Sequence, residues 1–227
     1  MADAKQIIAH RVAQELQDGY VVNLGIGLPT LVANYVPEGI DISLQSENGI
    51  IGMGGVSEPH EIDKNVVNSG GVNVNVNPGA TFFDSATSFG IIRGGHVDMT
   101  VLGALQVDQE GNIASHIIPG KMAPGMGGAM DLVVGAKKVI VAMTHTNKGA
   151  AKLFEKISLP ATALKAVDMI VTEMGVIEVD PEKGFVLKEL APGVTIEQIQ
   201  AATEAPLVIE GEIVEMVMPP EWKAEFE

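Results

Sequence analysis

The sequence predicts an α/β fold, with an open, mainly parallel sheet covered by helices. Three observations carry that expectation. Short apolar, strand-like runs alternate with segments that show helix caps and helical spacing. The 26 glycines cluster between those runs and follow no fixed period. Hydrophobic residues make up 46% of the chain but aromatics only 4%, so Val, Ile, Leu, Ala and Met must build the core. A length of 227 residues suits one large domain spanning 1–227, and neither a repeat nor a linker interrupts it.

The elements follow in order. Asp3 to Asp18 reads as a helix: Asp3 and Gln6 have capping-box spacing, Ile8, Val12 and Leu16 share a face, and Gly19 supplies a stop. Tyr20–Leu24 is a short strand running into Gly25-Ile26-Gly27-Leu28-Pro29-Thr30, and a second helix starts near Pro29. Ile40–Leu44 is strand-like and ends in the polar turn Ser46-Glu47-Asn48-Gly49. Val72–Val76 alternates Val and Asn as a half-buried strand does, and Asn77-Pro78-Gly79 ends it. Ser85–Ile92 has no clear signature. Arg93-Gly94-Gly95-His96 is a loop before the strand Val97–Leu102. Val107–Asn112 is a turn, and Ile117–Gly128 is a long loop entering a helix at Ala129. Lys138–Met143 is a strand, Ala150–Ile157 a helix, and Met169–Thr172 and Val176–Val179 are further strands. Thr195 and Gln198 form another capping box. From about 206 onward the chain is acidic, with an end expected to fray.

Composition removes several classes of function. The net charge of −15, with no basic run, argues against nucleic acid. The same charge repels a polyanion at long range, so an anionic ligand needs help from helix N-termini or a more basic partner chain. With no cysteine, disulfides, thiolate chemistry and cysteine zinc sites are excluded. His96, His116 and His145 lie in different segments without metal-ligand spacing, so no metal is expected. There is no signal-peptide pattern and no apolar run approaching the roughly 18 residues of a membrane helix. A soluble, cytoplasmic protein is the expectation.

Glu47 is the leading chemical candidate. It presents a carboxylate in a turn, beside the stretch Gly49–Gly55, which lets a bulky ligand approach backbone. Taken alone, Glu-Asn-Gly also reads as a solvated turn. Gly25 and Gly27 sit in a strand-to-helix turn that suits ligand contact as well as simple tight turning. It is not a dinucleotide fingerprint, because Thr30 stands at the third glycine. Around Gly127 and Gly128, small residues leave backbone N–H groups uncovered, which fits either oxyanion donors or a flexible loop. Arg93 either pairs with a carboxylate or braces the Gly94-Gly95 turn, and bracing is the favoured reading.

Taken together, Asn23-Leu24-Gly25-Ile26-Gly27-Leu28-Pro29, Ser46-Glu47-Asn48-Gly49, Ile92-Arg93-Gly94-Gly95-His96-Val97-Asp98, Pro119-Gly120-Lys121-Met122 and Gly125–Val133 occur in an order that closely resembles the β subunit of family I 3-oxoacid coenzyme A-transferases. The resemblance runs from the first helix to Thr195. It implies the three-layer α/β fold of the CoA-transferase and ribose-phosphate isomerase type. It implies Glu47 as nucleophile and the oxyanion-hole loop at Gly127 and Gly128. The turns around Gly25, Gly27, Asn48 and Gly49 are the expected substrate or CoA contacts. A homologous α subunit, usually in an α2β2 assembly, is implied as partner. Coenzyme A enters as a substrate carrier, with no further cofactor and no metal. The implied reaction is ping-pong transfer between short-chain acids such as acetoacetate, butyrate, acetate or succinate.

Two departures stand out. Ala114-Ser115-His116 replaces the family's Ala-Asn-Trp, and Ile157–Ala163 replaces Cys-Thr-Leu-Pro-Leu-Thr-Gly. Both bear on acid preference, not on the reaction class. Two alternatives stay open: a sugar-phosphate isomerase using Glu47 as general base, and a non-catalytic chain that binds CoA or serves as a scaffold.

Overall fold

The computed structural model describes residues 3–223. Helix α1 (Ala4–Ala13) begins on the expected capping box. Asp3 accepts from the Gln6 N–H at 2.9 Å, and the Gln6 side chain accepts from the Asp3 N–H at 3.0 Å. Ile8, Val12 and Leu16 are buried together, as their spacing requires. The helix stops at Ala13, short of Asp18. Gly19, at φ 80°, instead serves the turn into the first strand, donating to the Asp41 carbonyl at 2.7 Å.

Strand β1 (Val21–Leu24) leads through the glycine turn into a 3-10 helix, Leu28–Tyr35, with Pro29 in its first turn. Strand β2 (Ser43–Ser46) starts later than Ile40, then turns at 47–49 into the antiparallel β3 (Ile50–Val56). Strand β4 (Val74–Phe82) runs straight through Asn77-Pro78-Gly79, where the sequence places its end. The physical reason lies in its position. β4 is an edge strand, and its ladder slips across this tripeptide, from Met53 opposite Val76 to Ile51 opposite Thr81. At a bulged edge, proline's missing N–H costs no ladder bond.

Helix α2 (Ser85–Arg93) is capped by Asp84, which accepts from the Thr87 N–H at 2.7 Å. Strand β5 (Met99–Leu102) follows. The hairpin β6 (Gln106–Asp108) and β7 (Ile113–Ala114) contains the expected turn. The long loop then delivers α3 (Ala129–Gly135) and β8 (Lys138–Ala142).

The helix expected over 150–157 does not form. The chain makes β9 (Thr146–Asn147), β10 (Ala150–Ala151) and β11 (Leu153–Phe154). Lys148 and Gly149, both at positive φ, make the tight turn between β9 and β10. Tertiary pairing then claims the backbone: β6 Val107 donates to Lys152 at 3.0 Å, and Gln109 to Phe154 at 3.2 Å. Beyond these lie β12 (Met169–Val171), β13 (Gly175–Asp180), β14 (Gly184–Leu190), α4 (Ile196–Ala201), β15 (Leu207–Glu215) and α5 (Pro220–Lys223). The acidic segment from 206 is thus largely a strand, paired in parallel with β14. The tip expected to fray lies outside the described residues.

The main sheet has the order β15-β14-β13-β12-β8-β5-β1-β2-β3-β4. Its centre, from β12 to β2, is parallel, and antiparallel pairs flank it at β12/β13, β13/β14, β2/β3 and β3/β4. Alternate residues of β8 face opposite cores. Ile140 and Ala142 pack in the cluster of α1's Ile8 and Val12, whereas Val139 packs with α3's Val133 and Leu102. Helical and looped layers therefore cover both faces. The carboxyl ends of β1, β2, β5, β8 and β12 share one edge, where ligands of open α/β sheets gather.

Candidate active site

Glu47 projects from the hairpin turn at the carboxyl end of β2. Gly49 makes that turn possible. Its φ is 121°, and a Cβ there would sit 1.9 Å from the Phe83 carbonyl oxygen. Asn48 ties the turn down by donating to the Val67 carbonyl at 2.7 Å. Asn48 and Gly49 hold the turn in shape, and neither lines the two cavities beside it.

Those cavities meet at Glu47. The smaller, about 290 Å³, has apolar walls from Leu24, Leu31, Met53, Val72 and Val74. The larger, about 430 Å³, is walled by Gly25, Gly103, Ser115, Gly127 and Gly128. Glu47 lines both, as do Leu24, Ile26 and Ser69. Gly25 packs against β5: its N–H donates to the Val101 carbonyl at 2.8 Å, and a Cβ would lie 3.0 Å from the Leu102 side chain. Gly27, at φ 89°, precedes the 3-10 helix and faces the smaller cavity.

The fold brings the glycine loop onto the carboxylate. Gly128 precedes α3, and a Cβ on it would lie 3.1 Å from Glu47 Cγ and 3.4 Å from Cδ and Oε1. Any side chain at 128 would push the carboxylate by a few tenths of an ångström. Gly127, at φ 55°, shapes the same loop.

A buried polar chain stands behind Glu47; of its members only Asn23 falls within a sequence motif, at the start of Asn23–Pro29, and none is among the sequence-predicted site residues. Asn23 Nδ2 lies 3.2 Å from Glu47 Oε2 and 2.7 Å from Gln45 Oε1, and Gln45 Nε2 donates to Ser88 Oγ at 3.1 Å. The available signal was Asn23, a polar residue within the apolar run Val-Val-Asn-Leu; Gln45, in the mostly polar Ser-Leu-Gln-Ser, carries none.

The two departing segments touch each other. Thr162 Oγ1 accepts from the Ser115 N–H at 3.0 Å and lies 3.2 Å from His116 Nδ1. Ser115 thereby becomes a polar position on the larger cavity. Arg93 does not simply brace its turn. It pairs with Asp131 at 2.6 Å and lies over the Phe89 ring, linking α2 to α3.

His145 is fully buried between Thr172 and Thr203, at 2.9 and 2.8 Å. Burial, helped by the charge of Lys152, pushes its pKa down to about 4. Burial also pushes Lys152 down to about 8, against the opposing pull of Glu173. Among the described residues, no three His, Cys, Asp or Glu side chains gather as a metal site would need. No helix among them is long and apolar enough to cross a membrane.

The chain is similar to known proteins over most of its length. The profile of the family described as coenzyme A transferase matches residues 5–202. The chain is 57% identical over 204 residues to the beta chain of the acetate CoA-transferase of Escherichia coli strain K12, covering 89% of this chain and 93% of that one. It is 48% identical over 202 residues to one of the subunits of the succinyl-CoA:3-ketoacid coenzyme A transferase of Helicobacter pylori strain 26695, covering 88% and 97%. Among solved structures, the acyl-CoA transferase apoenzyme of Escherichia coli O157:H7 superposes with a TM-score of 0.76 at 27% identity. That match covers 95% of this chain, which spans less than half, 43%, of the longer structure.

Proposed function

The chain belongs to the coenzyme A transferase family, and from that premise we propose that it is the catalytic β subunit of an enzyme moving coenzyme A between short-chain carboxylic acids. The observation that carries the proposal is the Glu47 carboxylate at the junction of two cavities, with Gly128 against it.

The chemistry follows from that placement. Ionised Glu47 attacks the acyl-CoA carbonyl, and the thiolate leaves with the C–S bonding pair. The thiolate then attacks the resulting mixed anhydride at Glu47 Cδ, releasing the first acid and leaving a glutamyl-CoA thioester. A second carboxylate reverses both steps. A carboxylate nucleophile suits an exchange of carboxylates, because each intermediate stays activated. Backbone N–H groups at Gly127 and Gly128 would stabilise the oxyanion of the substrate carbonyl. Walls that exclude water protect the thioester from hydrolysis.

Acetate, acetoacetate, butyrate and succinate are the acids of choice. An α subunit completes the assembly, as α2β2. Coenzyme A is a substrate, and no additional cofactor or metal takes part. The names of the similar chains, each given as one subunit of a larger enzyme, support the need for a partner.

Peptide mass mapping tests the proposal. The complex with its α partner is incubated with acetoacetyl-CoA. A CoA-sized adduct is expected on the peptide containing Glu47, and it should be lost on adding acetate. No adduct in a complex that binds acyl-CoA would overturn the mechanism.

A further inference from the structure

This inference rests on the covalent reading above, in which Glu47 carries coenzyme A. That route takes two different carbonyl carbons through a tetrahedral stage. One is the acyl carbon of the substrate. The other is Cδ of Glu47 itself. When the CoA sulfur attacks Cδ of the anhydride, a C–S bond forms and negative charge collects on a Glu47 oxygen. The charge collapses as the C–O bond to the departing acid breaks, and that carboxylate leaves with the bonding pair. No proton moves. In the return step an incoming carboxylate oxygen attacks Cδ and the thiolate leaves. The oxygens of Glu47 therefore need donors besides those serving the substrate carbonyl.

Asn23 stands where such a donor is needed. Its Nδ2 is 3.2 Å from Glu47 Oε2, on one side of the carboxylate, while Gly128 approaches Oε1. The same nitrogen faces the Gln45 carbonyl at 3.2 Å and Gln45 Oε1 at 2.7 Å. With three acceptors around it, the group must be the NH2, since a flipped amide would set oxygen against three oxygens. Gln45 then has its Oε1 committed, and its Nε2 points the other way, onto Ser88 Oγ at 3.1 Å. Asn23, Gln45 and Ser88 are 2%, 2% and 0% exposed. A buried chain of hydrogen bonds thus runs from α2 through β2 to β1 and ends on the nucleophile. In such surroundings each bond is stronger than it would be in water.

We propose that Asn23 is a catalytic residue, donating to the oxyanion that forms on Glu47's own carboxyl. Gln45 and Ser88 are positioning residues that lock its amide in the donating orientation. A neutral donor fits both demands on Glu47. It leaves the resting carboxylate free to attack, where a cation would hold it in the ground state. Its hydrogen bond strengthens as charge concentrates on Oε2, so it favours the transition state over the resting state.

The experiment follows the discharge of the Glu47 adduct. The αβ complex is loaded with acetoacetyl-CoA, acetate is added, and loss of the adduct is timed in a single turnover. In Asn23→Ala, discharge is expected to slow about 10²–10³-fold with KM for acyl-CoA unchanged. Ser88→Ala, remote from the substrate, is expected to slow the same step to a lesser degree, again without a change in KM. A purely structural role for the chain would cost stability and leave the discharge rate alone. Discharge at the wild-type rate in a folded Asn23→Ala complex overturns the proposal and leaves the covalent reading intact, because the adduct still forms. If Asn23→Ala does not assemble, wild-type discharge in Ser88→Ala overturns it instead. Failure of the wild-type complex to form any adduct sinks the covalent reading, and this proposal with it.

Discussion

At the scale of single residues, the site depends on one carboxylate and on two glycines, Gly128 and Gly49, where a side chain crowds the site or strains the turn. Glu47→Gln keeps the shape of the side chain and removes the charge. Transfer is expected to vanish in a complex of unchanged melting temperature, and an assay with acetoacetyl-CoA and acetate checks this. Gly128→Ala would set a methyl 3.1 Å from Glu47 Cγ, tighter than ordinary contact. The carboxylate must shift by a few tenths of an ångström. Turnover is expected to fall more than tenfold, because small misplacements near the reacting atoms are costly. Gly49→Ala fails differently. Its φ of 121° and the Phe83 carbonyl at 1.9 Å from a Cβ deform the turn itself. Strain of about 1–3 kcal/mol or more should appear as a lower melting temperature as well as lost activity. The acidic turn was legible because Glu47, Asn48 and Gly49 are adjacent in sequence. The role of Asn48 as a tie to Val67 was not, since its partner comes from a loop that sequence spacing does not place.

At the scale of elements, local chemistry was readable wherever one short segment contains both partners. Both capping boxes form as expected, Asp3 with Gln6 and Thr195 with Gln198. Thr195→Ala should cost about 1 kcal/mol, measured by denaturant unfolding. α4 buries Ile199 in the core, so the loss will not stay local. Elements whose form depends on a distant neighbour were misread. Residues 150–157 look helical, yet their backbone bonds to β6. Pro78 looks like a strand terminator, yet β4 at the sheet edge tolerates it in a bulge. The acidic segment from 206 has no strand signature in sequence, yet β14 offers it an edge to pair with.

Across the whole molecule, buried charge ties the sequence ends together. Arg11 on α1 meets Glu189 on β14 at 2.7 Å and Glu15 at 2.8 Å, with only 7% of its side chain exposed. Arg11→Met leaves Glu189 without its partner and should cost about 3–5 kcal/mol; the added change Glu189→Leu should recover much of it. His145 and Glu15 both contribute to the acid response. Burial pushes His145 down to about 4, so the unfolded chain binds a proton that the fold refuses. Stability should therefore decline by about 3 kcal/mol as pH falls from about 6.5 to about 4, and His145→Asn should flatten that slope in thermal melts. Burial alone would raise the Glu15 carboxyl, but hydrogen bonds from Lys138 and Arg11 outweigh it and hold the pKa low. Its contribution is present above the ordinary carboxylate range and is lost below it, at a lower pH than the His145 effect.

The sequence alone determined the α/β class, the capped helix starts, the acidic turn at Glu47 and the glycine loop at Gly127 and Gly128. Each of these is written in neighbouring residues, through periodicity, caps and backbone freedom. Only the tertiary structure decided that Gly128 closes on Glu47, that two cavities meet there, and that Asn23, Gln45 and Ser88 form one chain behind it. Those relations join β1, β2, α2 and α3. They depend on strand order and on register along the shared sheet edge, and a linear pattern of residues fixes neither.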